Sequence, residues 1–141
     1  LVGQGAFRYL HADAAGGEHV VGYAFAGEFV GDYISMCVDA PSQVTIEAMC
    51  GAAALVVTGG RLEAFYRTDA AHERLGRTMA EHMLAEVYER LLERYAASPQ
   101  QRYEALLERC PDLLQMVSLR ELASYLGVRP ETLSRIRGRI R

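Results

Sequence analysis

The sequence predicts an α+β fold, in which a β domain comes first, one long helix follows and two short helices end the chain. Three observations predict it. Short runs rich in Val, Ile, Tyr and Phe fill the first sixty residues, apolar residues then recur every four positions from Leu75 to Tyr95, and arginines are concentrated in residues 118–141. These patterns are typical of strands, of an amphipathic helix and of a basic surface, in that order.

Four runs in the first part of the chain are predicted strands. They are separated by turn-forming residues and cover residues 6–10, 18–25, 43–49 and 53–58. The run 43–49 alternates polar with apolar residues, as a strand with one wet and one buried face does, which favours a sandwich or barrel. Four strands would leave an open sheet edge and the chain starts without Met, so we expect further strands before Leu1.

A single helix of roughly 25 residues is predicted by the four-residue apolar repeat, ending before Ser98-Pro99. The repeat consists of Leu75, Met79, Met83, Val87, Leu91 and Tyr95, with Leu84, Tyr88 and Leu92 beside it. This apolar surface is wide enough for the β domain on one side and a second copy on the other, so we interpret it as a dimerisation helix. The alternative is the core helix of a monomer. The spacing Ser98-Pro-Gln-Gln101 predicts the start of the next helix.

The last segment predicts two short helices joined at a glycine. Ser118 and Glu121 have the capping-box spacing, in which the serine hydroxyl accepts from the N–H of residue 121 and the glutamate reaches back to the Ser118 N–H. Gly127 suits the left-handed end of the first helix, and Pro130 suits the first turn of the second. The predicted inner faces are Leu119, Leu122, Ala123 and Leu126, then Leu133, Ile136 and Ile140. This is the pattern of a helix-turn-helix.

Positive charge is concentrated in the same segment. Residues 118–141 hold six arginines and two acids, net +4, whereas the remaining nine arginines and sixteen acids give −7, for a total of −3. A basic end on an acidic chain indicates a phosphate-binding module, the alternative being arginines scattered on a solvated helix. The predicted DNA contacts are Ser118, Arg120, Arg129, Glu131, Thr132, Ser134, Arg135, Arg137 and Arg139, with Arg141 on the same outer side.

Composition argues against several other classes of protein. No run approaches the roughly 20 apolar residues that cross a bilayer, and the first residues lack the features of a signal peptide, so we expect a cytoplasmic protein without membrane contact. Cys37, Cys50 and Cys110 are odd in number and far apart, which argues against a disulfide framework or a metal site. They are expected to be buried thiols.

The order of these elements, together with the run Arg120-Glu-Leu-Ala-Ser-Tyr-Leu-Gly-Val-Arg-Pro-Glu-Thr-Leu-Ser-Arg135-Ile, resembles the Crp/Fnr family of bacterial transcription regulators over essentially the whole chain. The resemblance implies a double-stranded β-helix (jelly-roll) sensor domain of the cyclic-nucleotide-binding type, with its first strands missing, over residues 1–67. It implies a dimerisation helix over 68–97 and a helix-turn-helix of the winged-helix type, without a visible wing, over 98–141.

The function implied by this resemblance is that of a sequence-specific regulator, not an enzyme, that binds a pseudo-palindromic operator as a homodimer. RNA polymerase and an unknown small-molecule effector are the further partners implied, and no cofactor is expected. Within the family's R-E-T-V-x-R pattern, Glu131, Thr132 and Arg135 match, which implies contacts with base edges and phosphates, while Pro130 replaces the first arginine. The chemistry agrees, because Arg can bind guanine through two acceptors and Glu can accept from cytosine. Arg129 is assigned to a phosphate.

The predicted effector pocket consists of Gly31, Asp32, Tyr33, Ser42 and Gln43. Similarity to the family places Gly31-Asp32 where cyclic-nucleotide binders have Gly-Glu, and Ser42-Gln43 where they have Arg-Ser. A cyclic phosphate needs a cation, and an isolated carboxylate repels it, so we expect no response to cAMP or cGMP. Asp32 and Ser42 are then interpreted as turn residues.

Two other classes stay open. A cupin-like small-molecule-binding protein or metal enzyme would need several His and a Glu converging from adjacent strands. His11 and His19 can face each other across a hairpin, whereas His72 and His82 lie ten apart on the long helix. A dimeric interaction module that has lost ligand and operator binding is the other class, and the intact basic face argues against it.

Overall fold

The computed structural model describes residues 1–140, with the side chain of Ile140 and the whole of Arg141 outside the described part. The predictions for those two residues therefore stay predictions. The elements are β1 Val2–Gln4, β2 Ala6–Ala12, β3 Glu18–Phe25, α1 Tyr33–Val38, β4 Thr45–Ala48, β5 Ala53–Ala54, α2 Gly59–Tyr66, α3 Ala70–Ala96, α4 Pro99–Arg109, α5 Leu113–Met116, α6 Leu119–Tyr125 and α7 Pro130–Ile140. The α+β fold class is confirmed.

The strands form two antiparallel sheets, one pairing β1 with β5 and the other with β2 between β3 and β4. Strand register puts Arg8 opposite both Tyr23 and Glu47, and puts Tyr9 opposite Ile46. Because successive side chains of a strand point to opposite faces, Arg8 and Tyr9 project from opposite sides of this sheet. Strand β2 can therefore contact different parts of the protein through neighbouring residues.

The predicted strands differ from the observed ones at their ends. The first continues to Ala12, because the hairpin pairing extends through His11 and His19. The run 43–49 shortens to β4, and the run 53–58 shortens to the two residues of β5. Residues 55–57 were predicted to be strand from their apolar character, but the strand ends at Ala54 and all three side chains are exposed. Leu55 still exchanges backbone hydrogen bonds with Leu1, at 2.9 and 3.0 Å. Strand β1 and helices α1 and α2 were not predicted.

The chain divides into two compact units, residues 1–55 with 99–141, and residues 56–98. The first unit has one core, to which the sheets and the C-terminal helices both contribute. Its fully buried side chains include Val2, Tyr23, Leu113, Leu122, Leu126 and Leu133. The predicted segment boundaries at 67 and 97 stay predictions, and the compact units follow a different grouping because β3 packs on α6.

The second unit pairs α2 with the long helix α3. Gly76 is the buried residue of α3, and a Cβ there would lie 2.8 Å from the ring of Tyr66, so the close approach of the two helices requires glycine. Asp69 caps α3 by accepting from the N–H groups of Ala71 and His72, at 2.8 and 3.0 Å. The predicted long helix is confirmed, with 27 residues.

Two of the three cysteines differ from their predicted environment. Cys37 and Cys50 are exposed, since they lie on α1 and just after β4, outside the core, whereas Cys110 is half-buried. Burial raises the pKa of the Cys110 thiol. Among the helices of residues 1–140, none combines the length and apolar character needed to span a membrane.

Candidate nucleic-acid interface

Helices α6 and α7 form the predicted helix-turn-helix, and its local signals are confirmed. The Ser118 hydroxyl accepts from the N–H of Glu121 at 3.1 Å, which begins α6. Gly127 has a φ of +68°, the left-handed conformation that ends a helix at low cost only for glycine. The N–H of Val128 then bonds the carbonyl of Ala123 at 2.9 Å, and α7 begins at Pro130.

Burial separates an inner and an outer side of this motif. Leu122, Ala123, Leu126, Leu133 and Ile136 are buried, and Leu119 is partly buried, as their spacing predicts. The predicted DNA-contacting residues lie at the surface. Those that are exposed are Ser118, Arg120, Arg129, Glu131, Ser134, Arg135 and Arg139, while Thr132 and Arg137 are partly exposed.

The arginines of this outer side, like Arg61 and Arg74 outside the motif, form no ion pair within residues 1–140, whereas five other arginines do. Arg8, Arg67, Arg77, Arg90 and Arg109 each form an ion pair with a glutamate. By contrast, none of the outer-side arginines Arg120, Arg129, Arg135, Arg137 and Arg139 forms an ion pair within residues 1–140. Their guanidinium groups can thus meet phosphates or base edges without breaking an internal pair.

The second half of the predicted capping box is wrong. The Glu121 carboxylate does not turn back to Ser118; its Oε2 accepts from Arg8 Nη1 at 2.8 Å and its Oε1 from the Tyr23 hydroxyl at 3.1 Å. A charged guanidinium is a stronger partner for a half-buried carboxylate than a neutral N–H. Arg8 is 113 positions away in sequence, so no local pattern could indicate this contact.

A second contact between the sheet and the helices was also missed by the sequence. Arg109 donates to Glu28 through Nε at 3.0 Å and through Nη2 at 2.8 Å, and its guanidinium lies 5.1 Å from the ring centre of Phe25. Beside it, Tyr23 and Tyr125 pack edge-to-face at 4.8 Å. Aromatic residues at positions 23, 25 and 125 were the only available signal, and such residues are common in any core.

The predicted effector residues are brought together at the start of α1. Asp32 caps this helix by accepting from the N–H of Ser35 at 3.1 Å, and the Ser42 hydroxyl lies 2.7 Å from its other carboxylate oxygen. The bond from Ser42 is the main reason that the pKa of Asp32 lies below its usual value. The N–H of Gly31 donates to the Tyr9 hydroxyl at 3.0 Å, which anchors the loop to β2. Asp32 therefore begins a helix and is not the turn residue that was expected, while Ser42 lies in the loop before β4.

The remaining two members of the predicted pocket lie next to Asp32 and Ser42 in the sequence. Tyr33 opens α1, and the carbonyl of Gln43 lies 2.9 Å from His11 Nδ1.

The histidines do not build the metal site of a cupin-like enzyme. His11 and His19 are paired across the β2–β3 hairpin as predicted, and His19 Nε2 lies 2.7 Å from Asp13 Oδ2. Within residues 1–140, no group of three or more His, Cys, Asp or Glu side chains is placed to hold a metal ion.

The predicted dimer stripe lies largely at the surface of α3. Leu75, Val87 and Leu91 are exposed, Met79 and Met83 are partly buried, and Leu84, Tyr88, Leu92 and Tyr95 are exposed beside them. A dimer through α3 and a core helix in a monomer both stay predictions.

Comparison with solved structures identifies the fold. FixK2 from Bradyrhizobium japonicum superposes with a TM-score of 0.73 at 19% identity, over 99% of this chain and 72% of that one. A protein from Eubacterium rectale assigned to the Crp/Fnr family as a transcriptional regulator gives 0.67 at 15%, over 96% and 65%. A protein from Silicibacter pomeroyi assigned a cAMP-binding regulatory role gives 0.70 at 25%, over 99% and 65%. No family model matches the sequence, and no curated protein matches it.

The fold is therefore that of a regulator with a sensor domain joined to a helix-turn-helix. More specifically, the chain has the fold of the Crp/Fnr transcriptional regulators, and it spans about two thirds to three quarters of the length of these three structures. The resemblance predicted from the sequence is confirmed by this fold.

Proposed function

We propose that this protein is a sequence-specific DNA-binding transcription regulator that acts as a homodimer. The observation that carries the proposal is the outer side of α7, where Glu131, Ser134, Arg135 and Arg139 are exposed. Helix α7 is held from behind by the buried Leu133 and Ile136, so its outer side is free to enter a major groove. The local net charge of +4 in residues 118–141 supplies attraction for the phosphate backbone.

The proposed dimer forms through α3. Exposed apolar side chains at positions 84, 87, 88, 91, 92 and 95 would be covered by the same helix of a second copy. A two-fold axis along such a helix pair presents two recognition helices, one for each half of a pseudo-palindromic operator. RNA polymerase is the further partner that this function would require for activation.

The proposed sensor does not respond to cAMP or cGMP. Proteins of this fold are associated with different effectors: the regulator CLP from Xanthomonas campestris is described as responsive to c-di-GMP, and the Silicibacter pomeroyi protein as cAMP-binding. In this chain the oxygens of Asp32 are occupied by Ser42 and Ser35, and Ser42 stands where a cyclic phosphate would need an arginine. We therefore expect the effector of this chain to lack a cyclic phosphate.

Selection of operator sequences from random duplex DNA tests the function directly. We expect the full chain to enrich a pseudo-palindrome whose half-sites lie roughly 34 Å apart, one helical turn. A variant with Arg135→Ala and Arg139→Ala together should enrich nothing, and Arg77→Ala, which changes an exposed arginine of α3, should behave as the wild type. Failure of the wild-type chain to enrich any sequence at low salt would contradict the proposed function.

A further inference from the structure

The carboxylate of Glu121 joins the first helix of the helix-turn-helix to the β3-β2-β4 sheet. One of its oxygens accepts from Arg8 on β2 at 2.8 Å, and the other accepts from Tyr23 on β3 at 3.1 Å. Arg8 and Tyr23 are partners in the strand register, so a single carboxylate spans two neighbouring strands.

This contact is partly shielded from solvent. The side chains of Arg8 and Glu121 are 29% and 18% exposed, and Tyr23 is 2% exposed. Burial, and then the charge of Glu121, raise the pKa of Tyr23, so its hydroxyl stays protonated and remains a donor. Removing the guanidinium of Arg8 would leave the partly buried carboxylate of Glu121 without its ionic partner, which costs more than breaking an exposed pair.

Arg8 has a second carboxylate partner inside the sheet. Its Nε donates to Glu47 on β4 at 2.7 Å, and this bond is the main reason that the pKa of Arg8 is raised. Strand β4 follows the segment of residues 31–43, which contains the predicted effector residues and which we name the effector loop. Tyr9, next to Arg8, anchors this loop, because its hydroxyl accepts from the N–H of Gly31 at 3.0 Å. Strand β2 therefore contacts the effector loop on one face and α6 on the other.

We propose that Glu121 is a positioning residue, which fixes α6, and with it the recognition helix α7, on the sensor sheet through Arg8 and Tyr23. Helices α6 and α7 are held together, because Leu122 and Leu126 of the first pack in the same hydrophobic core as Leu133 of the second. This inference rests on the DNA-binding function proposed above.

The test compares two glutamates that contact the same guanidinium group. Glu121→Gln keeps an acceptor for the Tyr23 hydroxyl but removes the negative charge through which α6 binds Arg8. Glu47→Gln removes the negative charge that binds Arg8 within the sheet. Amide hydrogen exchange of α6 and α7 is measured on the DNA-free full chain, beside the melting temperature and the affinity for the selected operator. For Glu121→Gln we expect exchange in α6 and α7 to rise about tenfold and affinity to fall about tenfold, equivalent to about 1.4 kcal/mol. Glu47→Gln should change the exchange rate and the operator affinity by less than about twofold each, since the contact between Arg8 and α6 remains.

The exchange measurement separates this inference from the function on which it rests. If the wild type binds no DNA, the proposed function fails, while faster exchange confined to α6 and α7 in Glu121→Gln would still support the positioning contact. Equal effects of Glu121→Gln and Glu47→Gln, or exchange that rises evenly across the whole unit, would overturn it and leave Glu121 with a purely structural role. Should Glu121→Gln fail to fold, Tyr23→Phe removes one hydroxyl and keeps the packing against Tyr125, and the same confined exchange is expected.

Discussion

The hydroxyl of Ser42 lies 2.7 Å from Oδ2 of Asp32, so the N-cap residue of α1 is tied to the loop before β4. The same hydroxyl lies 2.8 Å from the carbonyl of Val44, which fixes the loop between α1 and β4. The pair closes the loop on itself and leaves a carboxylate in the effector pocket proposed above, where a cyclic phosphate would need a cation.

Ser42→Ala should raise the pKa of Asp32 towards its ordinary value, because the Ser42 bond is the largest cause of its lowering. A carboxyl group whose folded pKa is lowered contributes stability above its unfolded pKa and loses it as pH falls through the folded value. In the variant this contribution should be smaller, and its loss should be complete at a higher pH. NMR titration of the carboxyl carbons measures the shift, with Asp13, lowered by His19 on the hairpin, as the internal control that should not move. An unchanged Asp32 titration would contradict the assignment.

Neither cAMP nor cGMP should bind the full chain. The expected result is no heat of binding at micromolar concentrations in calorimetry, and no change in operator affinity, because a ligand shifts an equilibrium only through different contacts with the two states. A micromolar dissociation constant for either nucleotide would show that another cation replaces the missing arginine.

Arg135→Ala should change which DNA sequences the protein prefers, whereas Arg139→Ala should weaken DNA binding without changing that preference. If Arg135 contacts a guanine, its loss costs about 1–3 kcal/mol per half-site and relaxes the preference at that base. If Arg139 touches only phosphate, its loss weakens all sequences alike and lowers the salt dependence by about one unit. Fluorescence polarisation against matched and mismatched duplexes over a range of salt measures both effects. Undiminished specificity in Arg135→Ala would reassign this residue to a surface role.

Leu91→Glu should weaken the proposed dimer, because it places like charges near a two-fold axis and removes apolar surface from the contact. The matched control is Glu93→Gln, since two residues along a helix turn by about 200° and place this side chain on nearly the opposite face. Sedimentation velocity over a concentration series should show the variant as a monomer where wild type and control are dimers. A monomeric wild type at micromolar concentration would refute the dimer.

Gly127→Ala and Gly138→Ala should change stability in opposite directions. At both positions a Cβ would meet no atom within 4 Å, so packing is not involved. Gly127 has a φ of +68°, and alanine in that conformation costs about 1–2 kcal/mol. Gly138 lies inside α7, where alanine is favoured by about 0.8–1 kcal/mol. Denaturant unfolding monitored by circular dichroism gives both values. A loss of stability in Gly138→Ala would indicate a role for this glycine beyond helix propensity.

The sequence by itself determined the helix-turn-helix, the long helix and the α+β class. These follow from interactions between residues close in the chain: a serine cap at 118, a left-handed glycine at 127, a proline at 130 and apolar repeats at helical spacing. Their signals are short-range, so a single sequence contains them. The local pairing of His11 with His19 across a hairpin belongs to the same group.

Only the tertiary structure decided which ionic and hydrogen-bond partner a polar side chain such as Glu121 contacts. Glu121 has a local partner available at Ser118, and the sequence favours it, but folding brings Arg8 within 2.8 Å and the ionic contact prevails. The run 53–58 is a second case, because its strand-like composition gives a strand of two residues and backbone pairing ends at Leu55, which bonds Leu1. Such outcomes depend on competition between distant groups for the same atoms, and that competition is settled only when the whole unit has packed.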